Sequence, residues 1–377
     1  MSGAVARISG DESPGTFARV SSAGGEVLGY GHYSPKSSLR VRMLAFGKEV
    51  VAEETVIAGA VRRALRLRVP GLLGETNGVR LINAEGDGLP GLVVDRYDDV
   101  LVARPTSAGM DRAREVWQQA LRESGQASSA LERGDPVAAR REGFAANEHT
   151  LWGSPPERVL LRERDREYIV DLRNGQKTGF YLDQRSARDR VQALASGRSV
   201  LDLFCYSGGF SVAAQRGGAR AITAVDSSEA ALRLARENID HNGDSPIPTV
   251  VRADAFKFVR ESEEAFDLIV VDPPPLARHK RDVDKATRAY KDVALHALRR
   301  AAPGTFALFF GCSHHVGPEL FRKVLFGASL DAARRLQVLE EFTAPPDHPV
   351  SLDHPEGRYL AGLLVRVEPD AVVGEAP

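Results

Sequence analysis

From about residue 183 the chain alternates short apolar runs with amphipathic stretches, and that alternation restricts the fold more than any other feature. The apolar runs are Ser199–Phe204, Ala221–Val225, Thr249–Val251, Leu268–Val271, Phe306–Phe310, Gln337–Phe342 and Tyr359–Val367. Helical stretches separate the first six. A strand that passes through a helix and returns parallel to its predecessor builds an open, doubly wound α/β sheet. The last two runs are joined without a helix, so an antiparallel hairpin is expected at the end of a mostly parallel sheet. Such sheets take their ligands at the carboxyl ends of the strands.

The texture before this region is different. Phe17–Val20, Val27–Gly31 and Leu39–Arg42 are strand candidates between glycine turns and predict a small β-barrel. Val56, Ile57, Ala60, Val61, Ala64 and Leu65 carry a helical period over 54–68, with Arg62, Arg63, Arg66 and Arg68 assigned to its outer face. Val79–Asn83 and Leu92–Asp95 flank a Gly-Asp-Gly turn and predict a hairpin. A helix is expected near 109–124, loops and weak strands over 125–155, and a second hairpin from Val159–Leu161 and Tyr168–Leu172. The resulting division is a small barrel over 1–70, an α+β region over 71–175, the α/β sheet over 176–370 and a disordered tail over 371–377.

Charge and cysteine content exclude several classes. Fifty Lys and Arg face 51 Asp and Glu, so no whole-protein basic field exists, and any nucleic-acid surface must be local. Two cysteines make neither a disulfide framework nor a zinc site, and no metal is expected. Met1 to Gly15 lacks the apolar core of a secretory leader, and no apolar run approaches the roughly 20 residues of a membrane span. A cytoplasmic protein without membrane partners is the expectation.

Acidic residues recur at the strand ends. Val200–Phe210 reads as a strand, a glycine loop with Gly208 and Gly209, and the start of a helix. Asp202 stands at the loop entrance, Asp226 ends the next strand, and Asp254 follows the third. Glycine lets the backbone approach a ligand, and a carboxylate at Asp226 can bind ribose hydroxyls. A nicotinamide cofactor is disfavoured, because the GxGxxG spacing is absent and Asp202 would repel a pyrophosphate. The same carboxylate suits the positively charged methionine end of S-adenosylmethionine, and Asp254 is placed to reach the adenine amino group. Each aspartate alone would read as a helix cap. Their succession points to a cofactor.

Asp272-Pro273-Pro274-Pro275 ends the fourth strand, where prolines stiffen the chain. Loops of this kind serve methyl transfer to nitrogen and to carbon. Cys312, in Gly311-Cys312-Ser313-His314-His315, follows the fifth strand and lies on the same crevice. Carbon 5 of cytosine is a weak nucleophile; a thiolate added at carbon 6 makes it enamine-like. Cys312 is the candidate nucleophile, and Asp272 a candidate hydrogen-bond partner for the ring nitrogen that gains electron density. The plainer reading of Cys312 is a buried apolar residue. Cys205 lies inside the cofactor motif, where packing accounts for it. The run Arg278-His279-Lys280-Arg281, continuing to Lys285, Arg288 and Lys291, offers phosphate contacts beside this crevice.

At these residues the sequence resembles bacterial large-subunit (23S) ribosomal RNA cytosine-carbon-5 methyltransferases with an N-terminal PUA domain. The likeness runs over nearly the whole chain. It is carried by Asn83–Gly91, Gly175–Arg185, the Asp202–Gly209 loop, Asp272-Pro273-Pro274, Tyr290-Lys291-Asp292, Cys312-Ser313, Asp347-His348-Pro349 and His354-Pro355-Glu356. The resemblance implies a PUA-like barrel, a middle α+β domain and a Rossmann-like class I methyltransferase domain. It implies S-adenosylmethionine held by Lys177, Thr178, Phe180, Gln184, Arg185, Asp202, Phe204, Tyr206, Ser207, Gly208, Asp226, Ser227, Asp254, Ala255 and Asp272. Ribosomal RNA is the implied substrate, met by Pro273, Pro274, Arg278, Lys280, Arg281 and Lys291, and a homodimer is compatible with the family. Two departures stand out. The family commonly has further residues, with a Pro-Trp segment, ahead of the stretch matching Ser2–Val5, so the barrel is expected to lack its first strand. Ala361 occupies a position where lysine is common. Two other readings keep the same fold: methylation of a guanine or adenine nitrogen in RNA, and a catalytically inactive RNA-binding assembly factor.

Overall fold

The structure is a computed structural model that describes residues 5–243, 248–277, 279–313 and 315–368. Two compact units emerge, one of Met1–Arg164, Val170–Leu182 and Pro345–Gly357, the other of Asp165–Ile169, Asp183–Ala344 and Arg358–Pro377. The tail expected over 371–377 lies outside the described residues.

In the first unit, β1 (Phe17–Ser21), β2 (Val27–Tyr33) and β3 (Val41–Phe46) form a three-stranded antiparallel sheet. The third strand falls a few residues beyond the expected Leu39–Arg42. Helix α1 (Glu53–Leu67) buries Ile57, Ala60, Val61 and Ala64, the stripe its period predicts. After α2 (Pro70–Leu73), β4 (Gly78–Asn83) and β5 (Leu92–Tyr97) make the expected hairpin. β6 (Val100–Pro105) pairs with β5, α3 (Ala108–Arg112) and α4 (Arg114–Glu123) follow, and β7 (Ser129–Glu132), α5 (Pro136–Glu142) and β8 (His149–Trp152) complete a five-stranded sheet, β4-β5-β6-β7-β8. Two further strands, β9 (Arg158–Glu163) and β10 (Arg166–Asp171), follow.

Arg68 is not on the outer face of α1. It caps the helix, and its guanidinium turns inward to both oxygens of Asp87, at 2.7 and 2.5 Å, with both side chains nearly sealed from water. Arg80 grips Asp95 in the same way, at 2.7 and 2.9 Å. Such pairs are kept because each charge would be costly alone.

The second unit holds α6 (Arg185–Leu194), β11 (Ser199–Leu203), α7 (Gly209–Arg216), β12 (Ala221–Asp226), α8 (Glu229–His241), β13 (Thr249–Arg252), α9 (Ala255–Glu261), β14 (Phe266–Val271), α10 (Val283–Arg299), β15 (Ala301–Cys312), α11 (Pro318–Asp331), β16 (Leu336–Phe342) and β17 (Leu360–Val367). They build one seven-stranded sheet, β13-β12-β11-β14-β15-β17-β16. The first five strands in this order run parallel, and β17 and β16 are antiparallel to their neighbours, as the hairpin without a helix predicts. Leu201, Leu203, Ile269, Val271, Ala307 and Phe309 pack under α9, α10 and α11. Val200, Leu268, Val270, Leu308 and Phe310 pack under α6 and α7 on the other face. Burial on both faces is why these runs carry no polar alternation. Among the described residues no helix is long and apolar enough to cross a membrane.

Candidate active site

β11 is the middle of the parallel array, flanked by β12 and β14, and its end opens into the glycine loop. The loop backbone is unusual. Phe204 and Tyr206 have φ of +63° and +48°, values that side chains seldom adopt, and Gly208 has φ +78°. Hydrogen bonds hold this shape. Cys205 N–H donates to the Val225 carbonyl at 3.0 Å and Gly208 N–H to the Cys205 carbonyl at 2.8 Å. Tyr206 N–H donates to Asp226 Oδ2 at 3.0 Å, and Asn238 Nδ2 braces the Ser207 carbonyl at 2.9 Å. A side chain at 208 would be strained, because φ +78° is left-handed and a Cβ there would also stand 3.3 Å from that of Ala235 on α8.

Asp202 is fully buried beneath this loop. Ser211 Oγ donates to its Oδ2 at 2.6 Å, while Oδ1 has no hydrogen-bond partner among the described residues. Burial, and then the negative charges of Asp272 and Asp226, push its pKa up to about 7 against the pull of the Ser211 bond. Asp226 accepts a second N–H, from Ser228 at 2.9 Å, and Ser227 beside it is exposed. Asp254 caps α9 through the Lys257 N–H at 2.9 Å, ahead of the buried Ala255. Cys205 is buried, and burial, then Asp202 and Asp226, hold its thiol well above the usual range, which disfavours the thiolate.

The chemistry-bearing groups converge one strand away. Asp272 follows the last residue of β14, and Cys312 is the last residue of β15 itself rather than part of the loop after it. The two strands are parallel neighbours, so both side chains stand at the same edge. Cys312 Sγ lies 3.7 Å from Asp272 Oδ1, and the thiol is half-buried, not sealed. Gln184 Nε2 donates to the other carboxylate oxygen at 2.9 Å. Pro273 is buried and Pro274 exposed, and the loop is tied down where Ser313 Oγ donates to the Ala277 carbonyl at 2.9 Å.

The basic stretch divides. Lys280 and Arg281 are exposed on a short turn; Arg278 lies outside the described residues. Lys291 on α10 is engaged by Asp331 at 2.8 Å. Lys177, Thr178 and Phe180 belong to the first unit. There Thr178 Oγ1 donates to Asp95 Oδ2 at 2.5 Å and meets the Tyr97 hydroxyl at 2.9 Å, which accepts the Phe180 N–H at 3.1 Å. Lys177 lies over the Tyr181 ring, 4.1 Å from its centroid. In the second unit Arg185 opens α6 and is buried.

A family described as S-adenosylmethionine-dependent methyltransferase matches residues 112–366, and a PUA-like domain family matches residues 1–46. The chain belongs to the S-adenosylmethionine-dependent methyltransferase family. Among its relatives, a protein of Aeromonas hydrophila named ribosomal RNA large subunit methyltransferase I is 39% identical, over 96% of this methyltransferase and 93% of the relative. The protein of that name from Erwinia tasmaniensis is 36% identical, over 97% and 94%. In three dimensions, a Streptococcus mutans protein classed as a SAM-dependent methyltransferase superposes with TM-score 0.82 at 23% identity, over 95% of this chain and 93% of its own. A methyltransferase solved with SAH superposes equally well, TM-score 0.82 at 24% identity, over 94% and 92%. At these identities the likeness shows the fold.

The residues present fit S-adenosylmethionine. A sealed carboxylate with one oxygen unpartnered among the described residues, raised in pKa by burial and then by two further carboxylates, is a place prepared for a cationic hydrogen-bond donor, and the methionine end of the cofactor is one. Two supports of this methyltransferase's site carry no signal in the sequence. Ser211, which holds Asp202, and Asn238, which braces the loop carbonyl, are ordinary helix residues until the fold brings them in.

Proposed function

We propose that this methyltransferase forms 5-methylcytosine in large-subunit ribosomal RNA, with Cys312 as a transient covalent nucleophile. The observation that carries the reading is the Cys312–Asp272 pair, a half-buried thiol and a carboxylate 3.7 Å apart at the ends of adjacent parallel strands, on the sheet edge where the cofactor loop also opens. The names of the relatives supply the RNA.

Bound S-adenosylmethionine supplies an electrophilic methyl group on a positively charged sulfur. Asp202 receives its cationic end, and Asp226, Ser227, Asp254 and Ala255 line the nucleoside side, with Phe204, Tyr206, Ser207 and Gly208 shaping the loop. Lys177, Thr178, Phe180 and Arg185 are assigned to the same role by resemblance. Cys312, as thiolate, adds to carbon 6 of the cytosine. Carbon 5 then takes the methyl group, the carbon-5 proton leaves to a base, and the carbon–sulfur bond breaks to return the thiolate. Asp272, oriented by Gln184, donates a hydrogen bond in its protonated form to the ring nitrogen that gains electron density; Pro273 and Pro274 give the base a stiff wall. Lys280 and Arg281, with Arg278 and Lys291, are assigned to RNA phosphates, and the N-terminal unit to RNA binding. The cytosine must be unstacked to reach the sulfur. A substrate of ribosomal RNA supports a cytoplasmic location.

The test is direct. Labelled S-adenosylmethionine and unmethylated ribosomal RNA are incubated with the protein, and the RNA is digested to nucleosides. Label is expected in 5-methylcytidine; label in methylguanosine alone refutes the reading. Cys312→Ala should abolish turnover while cofactor binding persists, and full activity of that variant removes the covalent mechanism.

A further inference from the structure

Of the string Tyr290-Lys291-Asp292, two residues are engaged in ion pairs, Lys291 with Asp331 at 2.8 Å and Asp292 with Arg260 at 2.5 Å. Tyr290 is engaged differently. It is 2% exposed on α10, and its ring packs edge-on against Phe321 with centroids 5.5 Å apart. Its hydroxyl has no hydrogen-bond partner among the described residues. The backbone of Leu276, in the proline loop after Asp272, and that of Cys312 itself lie close enough to act on that oxygen. The phenol is therefore wedged between the two segments that carry the reacting groups.

Burial, and next the negative charge of Cys312, raise the phenol well above its ordinary range. It keeps its proton at any working pH and is excluded as the base that removes the carbon-5 proton. A buried hydroxyl that holds its proton and lacks a partner among the described residues is a donor in reserve, and rotation about one C–O bond is enough to aim it.

We propose that Tyr290 is a positioning residue for the methyl transfer: its hydroxyl turns toward the Cys312 sulfur as the thiolate forms, stabilising the nucleophile and fixing it against the Asp272 loop. This rests on the covalent role given to Cys312 above. No bond to the tyrosine forms or breaks, and its proton stays on the phenol throughout.

Tyr290→Phe keeps the ring and removes only the hydroxyl. In the full chain without RNA, alkylation of Cys312 by iodoacetamide is followed by peptide mass spectrometry from about pH 6 to about pH 10, a range that brackets an ordinary thiol. The midpoint should rise by about one pH unit, the loss of one hydrogen bond to a charged group. With RNA, kcat should fall about tenfold for the same reason while KM for RNA and cofactor affinity hold. Ser313→Ala is the control for a purely structural role, since it cuts another tie between the same two segments; it should leave the midpoint in place. An unshifted midpoint with unchanged kcat in Tyr290→Phe overturns the proposal, as does an equal shift in Ser313→Ala. Should Tyr290→Phe unfold at lower temperature, 3-fluorotyrosine at 290, a stronger donor, must lower the midpoint, and no movement refutes the role. Full activity of Cys312→Ala removes the covalent reading and this proposal together. An inactive Cys312→Ala beside an unshifted Tyr290→Phe removes this proposal alone.

Discussion

Replacing Asp202 with asparagine keeps the shape of the side chain and removes its charge, so it isolates what that charge costs and what it does. In the folded protein the carboxyl titrates at about 7 instead of 3.8. The native state therefore binds this proton more tightly than the unfolded chain. The stability from the bound proton is complete below about pH 4 and is lost as pH rises through about 7. A tenfold difference in proton affinity is worth about 1.4 kcal/mol, so the cofactor-free protein should lose about 4 kcal/mol through this one group across that window. Asp202→Asn carries no such dependence, because its amide stays neutral and its oxygen can still accept the Ser211 hydroxyl.

The assay is denaturant unfolding of both proteins without cofactor at several pH values between about 4.5 and 8. The wild type should lose ground to the variant by about 1.4 kcal/mol per pH unit, flattening above about pH 7. Cofactor binding should move the other way. The cationic end favours the ionised carboxylate, so calorimetry should show wild-type affinity rising about tenfold per pH unit up to about pH 7, and weak, pH-independent binding in Asp202→Asn. A variant that is more stable and binds worse is the signature of a charge kept for function. A stability difference that stays flat from about pH 4.5 to about pH 7.5 would falsify the account of Asp202 as a carboxylate held in waiting.

Two more substitutions probe the scaffold. Gly208→Ala forces a methyl group into a left-handed backbone with φ +78° and against Ala235, 3.3 Å away; a loss of about 1–2 kcal/mol in thermal unfolding and weaker cofactor binding are expected. Arg68→Ala strands the sealed Asp87 carboxylate without its cation and should cost about 3–5 kcal/mol, read by denaturant unfolding; a loss under about 1 kcal/mol would mean that water replaces the guanidinium.

The second unit is legible because its central strands, β11, β14 and β15, are buried on both faces, which leaves apolar runs that no surface strand would show. What the sequence hides depends on partners far along the chain or on direction at a helix end. Arg68 falls four residues after the buried Ala64, on the inward stripe and not beside Arg62 and Arg66, and one residue past the helix its side chain reaches Asp87. The polar stretch over 125–155 contains a helix, α5, with a legible start: Asp135 caps Val137 and Ala138, and Pro136 takes the first turn. The helix expected over 109–124 breaks at Ala113, where ψ is 17° and no glycine or proline marks the place. The type of each candidate site residue is readable, but not its partners. Gln184 and Asp272 stand 88 residues apart, and nothing local announces their bond.

The two halves of the site are stiffened by different means, and this decides what variation each can tolerate. Cys312 ends a strand paired on both sides, with β14 in parallel and with Leu360 of β17 opposite the cysteine itself. Its backbone is set by sheet ladders, and a ladder resists slippage because a one-residue shift would turn every side chain to the other face. The position of the thiol is thus a property of the sheet, while Asp272 stands one residue past β14, where the Gln184 bond orients it. The cofactor loop has no ladder. Its left-handed Phe204 and Tyr206 persist because a few polar ties and the packing of Gly208 against α8 over-determine them. Loss of one such tie should therefore be felt first in cofactor affinity, while the Cys312–Asp272 geometry survives.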